Sequence, residues 1–201
     1  MIFSRTVRTA LLCAVAFGGL MLGGCGSSRS AVKGSQGRVV KNERRHGGGS
    51  RKPATPPKPV NLADIDDPMA RDLIAEANGW LGTPYTYGGA STGGVDCSGL
   101  VMSLYRDVTG MKLPRTTREQ VRYCTNLARN KIRPGDLVFF ANGSDVSHVG
   151  LYVGNGSMIH ASSSRGVVVS DIDNGYWADR YLTGGRVESA REAWASLNRP
   201  R

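Results

Sequence analysis

Histidine and cysteine are scarce in this chain: three of the first and four of the second among 201 residues. Four cysteines spread over Cys13, Cys25, Cys97 and Cys124 leave no dense disulfide framework, so the fold must rest on a hydrophobic core. No apolar run reaches the roughly 20 residues that a membrane-spanning helix needs. The best stretch, Ala10 to Leu22, stops short of that. No internal repeat is evident, which sets aside solenoids and propellers. Acidic residues are absent from positions 1–24 and number one, Glu43, in 25–60, against nine Lys and Arg there. The formal charge of +10 is therefore confined to the N-terminal part, because 61–201 carries 15 basic and 15 acidic residues. A nucleic-acid-binding domain would carry its positive charge on the folded part, so no nucleic-acid partner is expected.

What is present begins with a leader. Arg5 and Arg8 precede the apolar stretch, which closes on Leu22-Gly23-Gly24-Cys25. A basic start, a short apolar segment and small residues before a cleavage point describe a secretory signal peptide over 1–24. A cysteine directly after Leu-Gly-Gly resembles the lipobox of bacterial lipoproteins. That resemblance implies lipid on Cys25, a membrane partner through that lipid, and a place in the cell envelope. On the periplasmic face of an outer membrane, Gly26 fits sorting in a Gram-negative cell. Positions 25–65 read as a disordered tether, rich in Gly, Ser, Lys, Arg and Pro and nearly free of large apolar residues. Its basic residues can lie against anionic head groups or an acidic wall polymer.

A folded domain is expected over 66–190, with 191–201 as a tail. Asp67 and Pro68 form an N-cap and first-turn pair, and Leu73, Ile74, Ala77, Trp80 and Leu81 follow at helical spacing until Gly82. After a glycine-rich loop, Leu100, Val101, Leu104, Tyr105 and Val108 repeat at 3.6 spacing, which puts Cys97 at a helix N-terminus. A third helix is predicted over Thr117 to Leu127. Beyond Pro134-Gly135-Asp136 the pattern turns to short apolar runs: Leu137–Phe140, Val149–Val153, Ser157–Ala161, Val167–Ser170 and Tyr181–Val187. Helices first and an antiparallel sheet afterwards make an α+β fold. A last helix is expected within Glu188 to Leu197.

With Cys13 lost with the leader and Cys25 lipidated, Cys97 and Cys124 remain. A helix N-terminus offers unpaired N–H groups and partial positive charge, which favour a thiolate at Cys97. The domain's two histidines, His148 and His160, flank a Gly154-Asn155-Gly156 turn, and a hairpin would bring their imidazoles together. One can then take the thiol proton while the other orients it. They share a strand face only if the ladder pairs residues of equal parity. A three-residue loop or an irregularity near His148 is therefore required. The same three residues also have the makings of a zinc site with an open fourth position, or of plain packing. Cys124 reads as a buried small hydrophobe, Trp80 as core, and Trp177 and Tyr176 as groove or core.

Several stretches closely resemble the NlpC/p60-type, papain-like cell-wall peptidases. They are Gly82-Thr83-Pro84-Tyr85-Thr86-Tyr87-Gly88-Gly89, Gly94-Val95-Asp96-Cys97-Ser98-Gly99-Leu100-Val101, Leu113-Pro114-Arg115-Thr116-Thr117-Arg118-Glu119-Gln120, Arg133 to Phe140, Ser147 to Gly156 and Met158-Ile159-His160-Ala161. The resemblance spans roughly 70 to 187, in order. It implies a papain-like α+β fold with Cys97 as nucleophile, His148 as base and His160 as orienter. Tyr85 would lie near the oxyanion, and Asp96 and Ser98 at positions that in some members recognise a substrate amine. No metal or cofactor is implied, and a monomer is expected. The implied substrate is the peptidoglycan stem peptide, cut through an acyl-enzyme at the γ-D-glutamyl–diamino acid bond or at the D,D cross-link. Alternatives on the same fold are a non-catalytic wall-binding lipoprotein and an amidase or acyltransferase.

Overall fold

The structure is a computed structural model and describes residues 57–199. The predicted signal peptide, Cys25 and most of the tether lie outside the described residues. Helix α1 (Pro68–Gly79) begins where the sequence predicts, with the Asp67 carboxylate accepting from the Met69 and Ala70 N–H groups at 3.1 and 3.4 Å. Met69, Ala70, Leu73, Ile74 and Ala77 form its buried stripe. A short ribbon of β1 (Ala90–Ser91) and β2 (Gly94–Val95) leads into α2 (Cys97–Thr109) and α3 (Thr117–Tyr123). Then come β3 (Thr125–Leu127), β4 (Leu137–Asn142), β5 (Asp145–Gly154), β6 (Ser157–Ser162) and β7 (Gly166–Asp171). Helix α4 (Gly175–Ala178), β8 (Tyr181–Arg186) and α5 (Ala190–Leu197) complete the chain. The six long-sheet strands are antiparallel in the order β3-β8-β4-β5-β6-β7.

Alternation along the strands divides the core in two. Odd-numbered Leu137, Phe139, Val149, Leu151, Ile159 and Ala161 pack with Leu73, Leu100, Val101 and Leu104 of the helices. Even-numbered Val138, Phe140 and Met158 pack on the other face with Ile172, Trp177 and Tyr181. Leu73, Leu100, Leu104, Leu137 and Leu151 are fully buried, and truncating any one to alanine should cost about 2–5 kcal/mol.

Three boundaries differ from those read in the sequence. The fold reaches back into the expected tether: the Val60 N–H donates to Asn78 Oδ1 at 2.8 Å and the Asn78 amide returns a bond to the Val60 carbonyl at 2.9 Å. Val60, Leu62 and Ile65 are apolar groups that the helical core can cover, and Ile65 is buried. The third helix stops at Tyr123 because Cys124 is extended, and Thr125 to Leu127 become an edge strand against β8. The expected tail folds as α5, tied by the Trp194 indole N–H to Asp72 at 2.8 Å and by Arg191 to Asp67.

Candidate active site

The nucleophile candidate stands on the first turn of α2. Asp96 caps that helix, accepting from the Gly99 N–H at 2.7 Å. Gly99 is required for close approach, since a Cβ there would stand 2.2 Å from the Gly89 carbonyl oxygen. Arg115 closes on the same cap, reaching Asp96 Oδ1 and Oδ2 at 3.0 and 2.7 Å, Ser98 Oγ at 3.0 Å and the Gly89 carbonyl at 3.2 Å. The Gly88 N–H and the Ser98 hydroxyl also donate to the Asp96 carboxylate. Arg115 and these N–H groups outweigh burial and hold Asp96 below the usual carboxylate range. Gln120, buried, donates to the Ser98 and Pro114 carbonyls at 2.9 Å each.

The histidines arrive from the other face of the sheet. Asn155 and Gly156 have φ of 50° and 68°, the positive values that a tight two-residue hairpin turn demands. The ladder pairs Gly154 with Ser157, then Tyr152 with Met158, so Val153 is an extra residue on β5. That bulge changes the parity of the pairing and puts His148 and His160 on one face. The sequence requires a longer loop or an irregularity near His148. The decisive irregularity lies five residues away, at the turn, and a second one skips Ser147 between β4 and β5.

The result is a close pair: His148 Nε2 and His160 Nδ1 are 2.8 Å apart with their rings nearly perpendicular. The far nitrogen of His160 faces Ser170 Oγ at 2.9 Å. Trp177 lies against both imidazoles at 4.9 Å and against Phe140 at 4.7 Å. Gly150 leaves the space that His160 fills, because a Cβ there would meet Met158 Sδ at 2.7 Å and His160 Cβ at 3.2 Å.

A gap in the sheet joins the two halves. The β5–β6 ladder ends at Leu151 and Ile159. The Tyr152 N–H turns toward β4, to the Asp136 carbonyl, so alternation sends the Val149 N–H the other way, into that gap. There its positive end favours the charged form of the Cys97 thiol. The sulfur also lies 3.6 Å from Thr117 Oγ1. Cys97, His148, His160, Tyr85 and Trp177 line one cavity of about 820 Å³.

Protonation follows the surroundings. Burial pushes the Cys97 thiol up, opposed by the Thr117 hydroxyl and the Val149 and Ser98 N–H groups. Burial holds His148 down to about 4 and His160, which also feels His148 and Arg165, down to about 2. Both shifts favour a thiol beside a neutral imidazole at rest, and so oppose the thiolate that the helix N-terminus favours. Burial and the nearby Cys97 and Asp96 raise the Tyr85 hydroxyl.

The structure therefore gathers Cys97, His148, His160 and Tyr85. Asp96 and Ser98 are not on the cavity wall but hold the N-terminus of α2, their polar atoms taken up by Arg115 and backbone N–H groups. For a zinc ion the facing nitrogens of His148 and His160 are poorly aimed, since each points at the other. Among the described residues no group of three or more His, Cys, Asp or Glu side chains is placed to hold a metal. Sequence reasoning missed Arg115, Thr117 and Ser170. Arg115 and Thr117 stand in a stretch already singled out, but their roles depend on side-chain reach. Cys124 is buried, and burial pushes its thiol up to about 12.

The sequence pattern described as "NlpC/P60 family" matches residues 82–186. The chain is 42% identical to the "Probable endopeptidase NlpC" of Escherichia coli (strain K12) over 134 residues, which are 66% of this chain and 86% of that protein. It is 44% identical over 129 residues to the "Murein DD-endopeptidase MepS/Murein LD-carboxypeptidase" of the same organism, covering 64% and 68% of the two chains. The crystal structure of the NlpC/p60 domain of the peptidoglycan hydrolase SagA superposes with a TM-score of 0.53 at 30% identity, covering 58% of this chain and 97% of that one. Matched over more than half its length by the family pattern, and over most of one member, this chain belongs to the NlpC/P60 family.

Proposed function

We propose that the protein is a cysteine peptidase of peptidoglycan stem peptides. The observation that carries this reading is the meeting of Cys97 and His148 in one cavity, with His160 bonded to the ring nitrogen of His148 that Cys97 does not need. With a proton on Nε2 shared toward His160, His148 keeps a lone pair on Nδ1. That atom takes the Cys97 proton as the sulfur attacks the carbonyl carbon, and the oxygen takes up the negative charge near the Tyr85 hydroxyl. Collapse breaks the C–N bond, and the amine leaves with the proton from His148. Water, deprotonated by His148, then attacks the thioester and restores Cys97.

The bond best suited to this reading is the γ-D-glutamyl–diamino acid link, with the D,D cross-link second. The names of the murein-cleaving relatives support the substrate class. Digestion of purified muropeptides, read by mass spectrometry, tests it: the wild type should release stem fragments and Cys97→Ser none. A folded wild type inert on every muropeptide would end the proposal. We further propose a lipid-anchored monomer in the cell envelope, supported by the Leu-Gly-Gly-Cys25 sequence. Cys25→Ser should lose the membrane fraction; unchanged fractionation with normal processing would refute the anchor.

A further inference from the structure

Two arginines on the wall of the catalytic cavity hold no carboxylate: Arg180, which donates to the Tyr176 carbonyl at 3.0 Å and lies over the Tyr176 ring, and Arg165, whose guanidinium has no such aromatic partner. Arg165 stands in the turn between β6 and β7, is exposed, and lines the wall of the catalytic cavity. It also lines an adjoining groove of about 1820 Å³ that runs past Tyr85 toward Lys58, Asp64 and Arg133. Among the described residues Arg115, Arg129, Arg186 and Arg191 each hold a carboxylate, whereas Arg165 holds none. Its one side-chain partner there is a neutral hydroxyl, Ser170 Oγ, at 3.1 Å. The turn that presents it is fixed: the Arg165 N–H donates to the Ser162 carbonyl at 3.3 Å, and next to it Val167 exchanges backbone bonds with Thr83 and Gly82 at 2.9 Å. A guanidinium is thus held at the junction of two cavities with its fork unsatisfied by any acid, a geometry suited to bidentate capture of a carboxylate.

We propose that Arg165 binds a free carboxylate of the substrate, next to the bond that Cys97 attacks. The inference rests on the stem-peptide reading above. A glutamyl residue joined through its γ-carboxyl keeps its α-carboxylate, three carbons from the reacting carbonyl. With the carbonyl at Cys97, that charge falls within the same cavity that Arg165 borders. Leaving a neutral hydroxyl for a carboxylate is a favourable exchange for a guanidinium. Arg165 then acts on substrate selection, while His160 and Ser170 stay with the base.

Two synthetic stem peptides decide the matter, identical except that the glutamyl α-carboxylate is free in one and a carboxamide in the other. The wild type should show a KM about ten-fold lower for the free acid, and Arg165→Gln should raise that KM to the carboxamide's value. Calorimetric titration of Cys97→Ser, alone and combined with Arg165→Gln, should give the same split in Kd without turnover. Equal binding of both peptides by Cys97→Ser, or no binding of either, overturns the proposal. So does a fall in kcat that is equal on both substrates and accompanied by a shifted pH profile in Arg165→Gln, because Arg165 would then act through Ser170 and His160. Acid-selective binding without cleavage would instead refute the peptidase reading and leave the carboxylate site standing.

Discussion

Cys97 and Cys124 are both buried and both unbridged, yet the chain surrounds them in opposite ways. Cys97 opens a helix, its sulfur lies 3.6 Å from the Thr117 hydroxyl, and the Val149 and Ser98 N–H groups oppose the rise that burial causes. Cys124 closes one, and nothing there offsets burial except to worsen it: Asp136 adds its charge and the thiol rises to about 12. Burial alone makes a thiol inert. What separates a nucleophile from a packing residue is the set of donors that receive the sulfur's charge and an opening through which a substrate arrives.

The largest expected effect tests whether the base belongs to Cys97 alone. Cys97→Ser and His148→Ala should each lower kcat/KM on stem peptides by about a thousand-fold or more, and His160→Ala by less, since water can partly replace an orienter. Muropeptide digests with folding checked by circular dichroism measure this; residual cleavage by a folded Cys97→Ser would dissolve the distinction between the two cysteines.

Alkylation compares them directly. Iodoacetamide near neutral pH should modify Cys97 about a hundred-fold faster than Cys124, and Thr117→Val should narrow the ratio by removing one donor. Peptide mapping by mass spectrometry reads both sites in one sample, and equal rates would show that the donors around Cys97 are without consequence.

The imidazoles beside Cys97 predict an acid sensitivity that Cys124 does not share. Both are depressed in the folded state, so the unfolded chain binds protons first as pH falls below about 6.5. The stability they contribute is fully present above that value and is lost between it and the folded values of about 4 and 2. Asp96 and Asp67 are lowered below 3.8 and so titrate later. Urea unfolding should therefore give a lower free energy at pH 5 than at pH 7.5, and His160→Asn should flatten the difference. A slope unchanged by that substitution would place the acid sensitivity elsewhere.

The smallest effect falls on the inert cysteine. Cys124→Ala should cost about 1 kcal/mol for lost packing and leave the cleavage rate unchanged. A matching loss of activity would mean that the end of α3, through Thr117 at its start, is coupled to the site.

How much of this was legible can be argued residue by residue. Asp67-Pro68, the 3.6 spacing after Cys97 and the glycine-rich turns are local signals, and α1, the start of α2 and β4 to β8 lie where those signals put them. The end of α3 was not legible: Thr117 to Leu127 reads as one helix, and only the partner strand β8 draws Thr125 to Leu127 into the sheet. Val60 to Ile65 read as tether because a few apolar residues among prolines carry no periodicity; the surface of α1 gives them something to cover.

The site divides along the same line. By itself the sequence determined which residues have the chemistry: a cysteine at a helix start, and two histidines about a turn in a domain with no other histidine. It also determined that these histidines could not meet across a regular two-residue hairpin. Tertiary structure alone decided how they do meet. One bulge at Val153 turns His148 onto the face of His160, and the β5–β6 ladder ends early where Cys97 of the helix side and these imidazoles line one cavity. Asp96, Ser98 and Arg115 were likewise assigned to one another by approach in space, which holds the helix start, while Arg165 is left with a neutral hydroxyl as its side-chain partner. Residue type and spacing specify what a side chain can do, while register, burial and reach, set by the whole chain at once, specify which neighbour it does it with.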